Sequence, residues 1–170
     1  VAGTTGKGGF TKFILGSNTI NLADECPVPL LIVPDKAKFE RVKKIVFACA
    51  LEKVKESTPV DTITYFVEQL DSKLVVLNVA LENKPFNPDI IPEQYQIHAL
   101  LDHLDPEYHY IEDEEVVEGI TEFVEDEDAQ LVISVPKSFG FFDSLFRRSV
   151  TKKLAYDTEI PLLVLREREK

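Results

Sequence analysis

Gly3, Gly6 and the run Gly16-Ser17-Asn18 are spaced G-x2-G-x9-G-S-N near the start of the 170-residue chain, with Gly8 and Gly9 in the same segment. Glycine lets a backbone pass close to a bulky anion and turn its N–H groups toward it. Gly16 and Ser17 fall where a turn would meet a helix, whose first N–H groups are unpaired and whose dipole favours negative charge. Ser17 or Asn18 adds a side-chain donor, and Lys7 adds a cation. The chemistry that suits this pattern is non-covalent capture of a polyphosphate. The same glycines also suit a plain strand-to-helix turn, and the pattern alone leaves both readings open.

The elements that would position this loop are marked by an internal repeat. Residues 1–34 lie without a gap on residues 133–166, an offset of 132, and nine of the 34 pairs are identical. Among them are Gly8/Gly140, Ser17/Ser149, Pro29/Pro161, Leu30/Leu162 and Leu31/Leu163. An offset of that size is one domain length. The chain is therefore expected to hold the last third of one domain (1–34) and a complete second copy (35–170). The first copy contributes a strand end at Val1–Ala2, the glycine loop, a helix around Ser17–Asp24 and a strand over Pro29–Val33.

In the second copy, five apolar runs predict buried strands: Ile45–Ala50, Leu74–Val79, Tyr108–Ile111, Leu131–Val135 and Leu162–Leu165. Short β-branched and aliphatic runs are what a parallel sheet covered on both faces requires. Between them lie helical stripes. Thr58 is an expected N-cap with Pro59 as the first helical residue, followed by Val60, Ile63, Val67 and Leu70. Ile97, Leu100, Leu101 and Leu104 form a second stripe. Val116, Val117, Ile120, Phe123 and Val124 form a third, and Phe142, Leu145, Phe146, Val150 and Leu154 a fourth. Pro85, Pro88 and Pro92 predict an irregular loop or an altered crossover over 80–93. Alternating strands and helices imply right-handed crossovers and a three-layer α/β sandwich.

Composition narrows the function. The net charge is −11; residues 1–34 sum to zero, so 35–170 carry all of it, 17 basic against 28 acidic. Nonspecific binding to nucleic acid or an anionic membrane needs basic surface, so neither partner is expected. No run approaches the ~20 apolar residues of a membrane helix. Cys26 and Cys49 lack a disulfide framework or metal spacing, which points to a reducing, intracellular compartment. His98, His103 and His109 have no metal-ligand spacing, and His109 reads as a strand residue between Tyr108 and Tyr110. Arg147 with Arg148 reads as a solvated face or a remnant anion site. Phe139 and Phe141 read as filling a vacated cleft or marking a partner site.

The glycine spacing, the following Ala23-Asp24-Glu25-Cys26-Pro27-Val28-Pro29-Leu30-Leu31-Ile32-Val33 and the βα order of residues 42–165 together resemble the universal stress protein family, in a tandem-domain arrangement. The resemblance implies an adenine nucleotide alpha hydrolase-like fold, with a five-stranded parallel sheet in the order 3-2-1-4-5. It also implies that the two copies pair through their last strands, antiparallel, with Leu30–Val33 beside Leu162–Leu165, and a homodimer or oligomer through such edges is expected. It implies ATP as a regulatory ligand at Gly3, Gly6, Lys7, Gly16, Ser17 and Asn18, a half-site for the phosphates. In the second copy Gly3 maps to Val135, Gly6 to Ser138, Gly16 to Arg148 and Asn18 to Val150, and Ala50 stands where the family's ATP binders place an Asp. Residues 35–170 are thus expected to bind no ATP and to serve dimerisation or partner binding. The alternative is a structural module with no nucleotide at all. The chain is read as a cytoplasmic, non-enzymatic stress-response protein; weak ATP hydrolysis or autophosphorylation stays open, although no base or metal ligand for it is visible.

Overall fold

Among the described residues, short apolar runs separated by polar segments build the seven strands of one sheet. The computed structural model describes residues 1–3, 28–34, 36–38, 40–85, 87–136, 150, 154 and 159–167. Its strands are β1 (Ala2–Gly3), β2 (Leu30–Val33), β3 (Lys44–Ala48), β4 (Lys73–Leu81), β5 (Glu107–Asp113), β6 (Leu131–Ser134) and β7 (Leu162–Val164). Its helices are α1 (Val54–Ser57), α2 (Val60–Leu70), α3 (Ile90–Leu101) with a 3-10 turn over Asp102–Leu104, and α4 (Val116–Asp126).

The strand order is β1-β2-β7-β6-β3-β4-β5. All neighbours run parallel except β2 and β7. Alternation of side chains along each strand sends residues to two cores. Ile45, Phe47, Leu74 and Val76 meet Val54, Ile63, Val67, Ile97 and Leu101 of α1, α2 and α3. Val46, Val75, Leu77 and Val132 meet Val117, Ile120 and Val124 of α4, with Leu154. The result is a three-layer α/β arrangement in which β3, buried on both faces, is central.

The sequence repeat reappears as a repeat of register. Ala2 pairs with Ile32 in the β1–β2 ladder, and the offset of 132 carries that pair onto Ser134 and Val164, which pair in the β6–β7 ladder. The antiparallel junction is Leu30↔Val164, Leu31↔Leu163 and Ile32↔Leu162. Under the same offset this set maps onto itself, so a local two-fold passes through the Leu31·Leu163 pair. The Leu30–Val33 pairing is made within one chain. β2 lies between β1 and β7, and β7 between β2 and β6, so these strands are interior here and do not offer edges to a second copy.

Elements depart from expectation where local chemistry allows more structure. The irregular loop expected over 80–93 is narrower than expected, lying between the end of β4 at Leu81 and the start of α3 at Ile90. Pro92 is tolerated because N–H groups in a first helical turn have no partner anyway. Thr58 does not cap α2. Its N–H bonds to the Val54 carbonyl at 3.0 Å, ending the separate short helix α1, and Pro59 takes the N-cap position. The helix expected around Ser17–Asp24 and most of the Phe142–Leu154 stripe lie outside the described residues.

At the amino-terminal end of β3, Gln130 closes the sheet. Its Oε1 accepts from the N–H groups of Lys43 (2.9 Å) and Lys44 (3.1 Å). Lys44 Nζ pairs with Glu127 Oε2 at 2.6 Å and donates to the Glu127 carbonyl at 2.8 Å. That lysine's hydrogen bond holds the Glu127 carboxyl below the usual carboxylate range, against a smaller opposing effect of burial.

Candidate functional site

In open α/β sheets, ligands bind outside the carboxyl ends of the strands where the chain changes direction across the sheet. Two such ends exist here. The first is the end of β1, where Gly3 is the last strand residue, paired with Val33. This places the start of the glycine loop at the carboxyl edge of the β1–β2 pair. Gly6, Lys7, Gly16, Ser17 and Asn18 lie outside the described residues, as do Cys26, Phe139, Phe141, Arg147, Arg148 and Ser149, so Gly3 is the one site residue whose position can be given.

The second is the carboxyl end of β3, where the chain passes Ala48 beside β4. Its polar groups are bonded to one another. The Cys49 N–H donates to the Leu77 carbonyl (2.8 Å), and Asn78 Nδ2 donates to the Cys49 carbonyl (2.7 Å). Leu51 and Lys53 both take left-handed backbone conformations, φ 45° and 46°. Each such non-glycine residue costs about 1–2 kcal/mol. The bend is held by the buried Leu51 side chain and by Glu93 of α3, whose Oε2 accepts from the Val54 N–H at 2.7 Å. Ser57 Oγ donates to the Glu52 carbonyl at 3.2 Å. Ala50 is exposed at this mouth and brings no acceptor side chain. A carboxylate of the protein thus occupies a backbone N–H in the bend after β3.

A third cluster went unforeseen. His98 and Asp102, four residues apart on α3 and the turn after it, face Tyr108 and Tyr110 of β5. Tyr108 Oη donates to Asp102 Oδ1 at 2.7 Å. The same carboxylate oxygen lies 3.3 Å from His98 Nδ1, and His98 Nε2 lies 3.3 Å from Tyr110 Oη. The imidazole stacks on the Tyr108 ring, with centroids 3.6 Å apart. Burial pushes the Tyr108 phenol well up, and its bond to the Asp102 carboxylate adds to this. Burial raises Tyr110 too, followed by Cys49 and Asp102. The signal was present in sequence as a His-x3-Asp helix pair followed by Tyr-x-Tyr in a strand, but only the α3–β5 crossover brings the two together. His103 bonds Thr64 Oγ1 at 3.0 Å, and His109 packs on Phe123. Among the described residues no group of three or more His, Cys, Asp or Glu side chains gathers as a metal site. Nor, among them, is any helix long and apolar enough to cross a membrane.

Comparison with known proteins was decisive only at the level of structure. No family model and no curated protein matches the chain. A functionally unknown protein from Pseudomonas aeruginosa PAO1 superposes over 98% of this chain and 62% of its own, with a TM-score of 0.70 and 14% identity. A universal stress protein from Archaeoglobus fulgidus DSM 4304 matches 89% of this chain and 54% of its own, with a TM-score of 0.62 and 13% identity. A universal stress protein in complex with cAMP matches 76% of this chain and all of its own, with a TM-score of 0.53 and 13% identity.

The fold is that of the universal stress proteins.

The chain spans 54% and 62% of the lengths of the Archaeoglobus and Pseudomonas proteins. The universal stress protein fold is not confined to one activity: a deacetylase acting on an antimicrobial pseudoaglycone matches 75% of this chain and 64% of its own, with a TM-score of 0.53 and 16% identity.

Proposed function

We propose that this chain is part of a tandem universal stress protein, a cytoplasmic stress-response regulator that binds an adenine nucleotide in its first repeat. The glycine loop opening at Gly3, with Gly6, Lys7, Gly16, Ser17 and Asn18, would hold the phosphates; ATP is the ligand proposed. Division at residues 34 and 35 into a first-domain remnant and a second domain is part of the same reading. The observation that carries it is the register repeat: the offset that aligns the sequences also aligns the β1–β2 and β6–β7 ladders, and it maps the antiparallel junction onto itself. The cAMP complex of a protein with this fold supports a nucleotide as ligand.

The second repeat is read as degenerate, serving the junction or a partner. Glu93 on the Val54 N–H and Asn78 on the Cys49 carbonyl support this, because they take backbone groups at the mouth of β3. A nucleotide bound at the first loop would act by favouring one arrangement of the paired repeats. Non-enzymatic action is the preferred reading, and slow ATP hydrolysis is its rival.

Calorimetric titration of ATP and cAMP into this chain, and into a form extended at its amino terminus, tests the reading. Binding that is lost in Gly16→Val supports it. Binding to neither form overturns it and leaves a structural or interaction module. Steady ADP release during the titration transfers the chain to the enzymes.

A further inference from the structure

Among the described residues, β5 ends the sheet and pairs only with β4. One bond tells which of its backbone groups that pairing leaves over. The Glu82 N–H donates to the Asp113 carbonyl at 3.0 Å, so Asp113 turns its backbone toward β4. The register between the two strands runs unbroken from Glu107 to Asp113. Backbone groups of successive strand residues point to opposite sides in the plane of the sheet, so Glu107, His109 and Ile111 face β4 as well. Tyr108, Tyr110 and Glu112 therefore turn their N–H and C=O groups to the open edge. Such a row is a template for a further strand, and proteins ordinarily keep it short or break it with a bulge. β5 is seven residues long and its register holds no bulge.

Charge selects the occupant. β5 carries Glu107, Glu112 and Asp113 and no lysine or arginine. Lys73 of β4 lies 4.0 Å from Glu107, at the amino end of the edge only. A second copy fits poorly. Two-fold pairing in full overlap about Tyr110 would set Glu107 opposite Asp113 at both ends, and like charges directly opposite destabilise a ladder. Two chains of net charge −11 also repel as wholes. A strand bearing cations reverses the sign of both effects.

We propose that the β5 edge is a docking site for an extended basic segment of a partner protein, added to the sheet as a further strand. Main-chain bonds to Tyr108, Tyr110 and Glu112 would supply the hold, and side chains the selectivity. A lysine or arginine beside Glu112 and Asp113 finds its counter-charge. An apolar residue beside Tyr110, which is 41% exposed, covers its ring. The proposal is independent of the nucleotide reading, since β5 and β1 lie at opposite ends of the strand order.

The probe is a fluorescein-labelled peptide of alternating lysine and valine, titrated into the whole chain by anisotropy. It should bind saturably, and more weakly as salt is raised. The same peptide N-methylated at every residue keeps its charge but has no backbone donors, and should bind about tenfold more weakly or worse. Glu112→Lys should weaken the unmethylated peptide by about 2- to 30-fold, as one attraction becomes a repulsion. Amide exchange followed by NMR in the unsubstituted chain reads the edge directly. With peptide bound, the Tyr110 and Glu112 N–H groups should exchange about tenfold more slowly or less, while those of His109 and Ile111, already turned to β4, change little. Equal binding of the N-methylated peptide would reduce the effect to attraction by an acidic surface and overturn the proposal. Absence of binding, or unchanged exchange at Tyr110 and Glu112, would overturn it as well. Protection of those amides that grows with protein concentration in the absence of peptide would assign the edge to a second copy instead. The exchange measurement decides the matter even if a variant fails to fold.

Discussion

Ile32→Ala tests whether residues 28–34 are held as a separate unit against the second repeat. Ile32 is 0% exposed and lies in the core with Leu30, Leu154, Leu162 and Val164. The substitution deletes about three carbon groups, at about 0.8 kcal/mol each, or about 2.4 kcal/mol of transfer free energy. The cavity left behind brings the cost to about 3–4 kcal/mol. Among the described residues, β2 hydrogen-bonds to the rest of the sheet only through β7, and β1 only through β2. The loss should therefore appear as local opening rather than global unfolding. Native-state hydrogen exchange is the assay. Amides of Leu30–Val33 should exchange roughly 10²- to 10³-fold faster, since each 1.4 kcal/mol is about a factor of ten. Amides of Ile45–Phe47 and Val75–Leu77 should change by less than about threefold. Equal acceleration in β3 and β4 would refute the reasoning, because it would make the whole sheet one cooperative unit. A cost below about 1 kcal/mol would refute the packing argument itself.

Three further outcomes follow from named contacts. A Cβ at Gly119 would meet Asp113 Cβ and Val79 Cγ1, each at 2.9 Å; the strain outweighs the roughly 1 kcal/mol helix gain of alanine, so Gly119→Ala should lower stability by about 1 kcal/mol, and a stabilised variant in urea titration would contradict this. Gln130→Leu strips the acceptor from the Lys43 and Lys44 N–H groups and should cost about 2–3 kcal/mol, with Gln130→Glu less harmful because it keeps that acceptor. Because Glu127 is held below its ordinary range by Lys44, its contribution is present above the usual glutamate pKa and lost as pH falls through the depressed value. The stability difference between the unsubstituted chain and Lys44→Met, measured by thermal melts, should therefore shrink on acidification, and a constant difference would be the wrong result.

Much of the fold was legible. Ile45, Val46 and Phe47 announce a strand buried on both faces because no polar residue interrupts them, and they form the centre of the sheet. The Val116–Val124 stripe reads as a helix with one apolar face, and Val117, Ile120 and Val124 are the residues it buries. The Thr58-Pro59 start misled because capping chemistry is local, whereas the bend at Leu51–Val54 is imposed by Glu93, 39 residues away from Val54. The candidate nucleotide loop was legible only as a pattern: of its six residues, Gly3 alone has a described place.

The sequence by itself determined the α/β class, the positions of strands β3 to β7, the apolar stripes of α2, α3 and α4, and the sequence match of residues 1–34 with 133–166. These are properties of periodicity and spacing, and they survive without knowledge of what packs on what. Tertiary structure alone decided three things. It set the register of the antiparallel pairing that the resemblance implied, with Leu31 opposite Leu163. It tied down the Cys49–Val54 bend with side chains of β4 and α3. It gathered Asp102, His98, Tyr108 and Tyr110, because a helix and a strand share a face only after the crossover has laid one on the other. Hydrogen bonds depend on atomic distance and direction, and those exist only once the chain has folded.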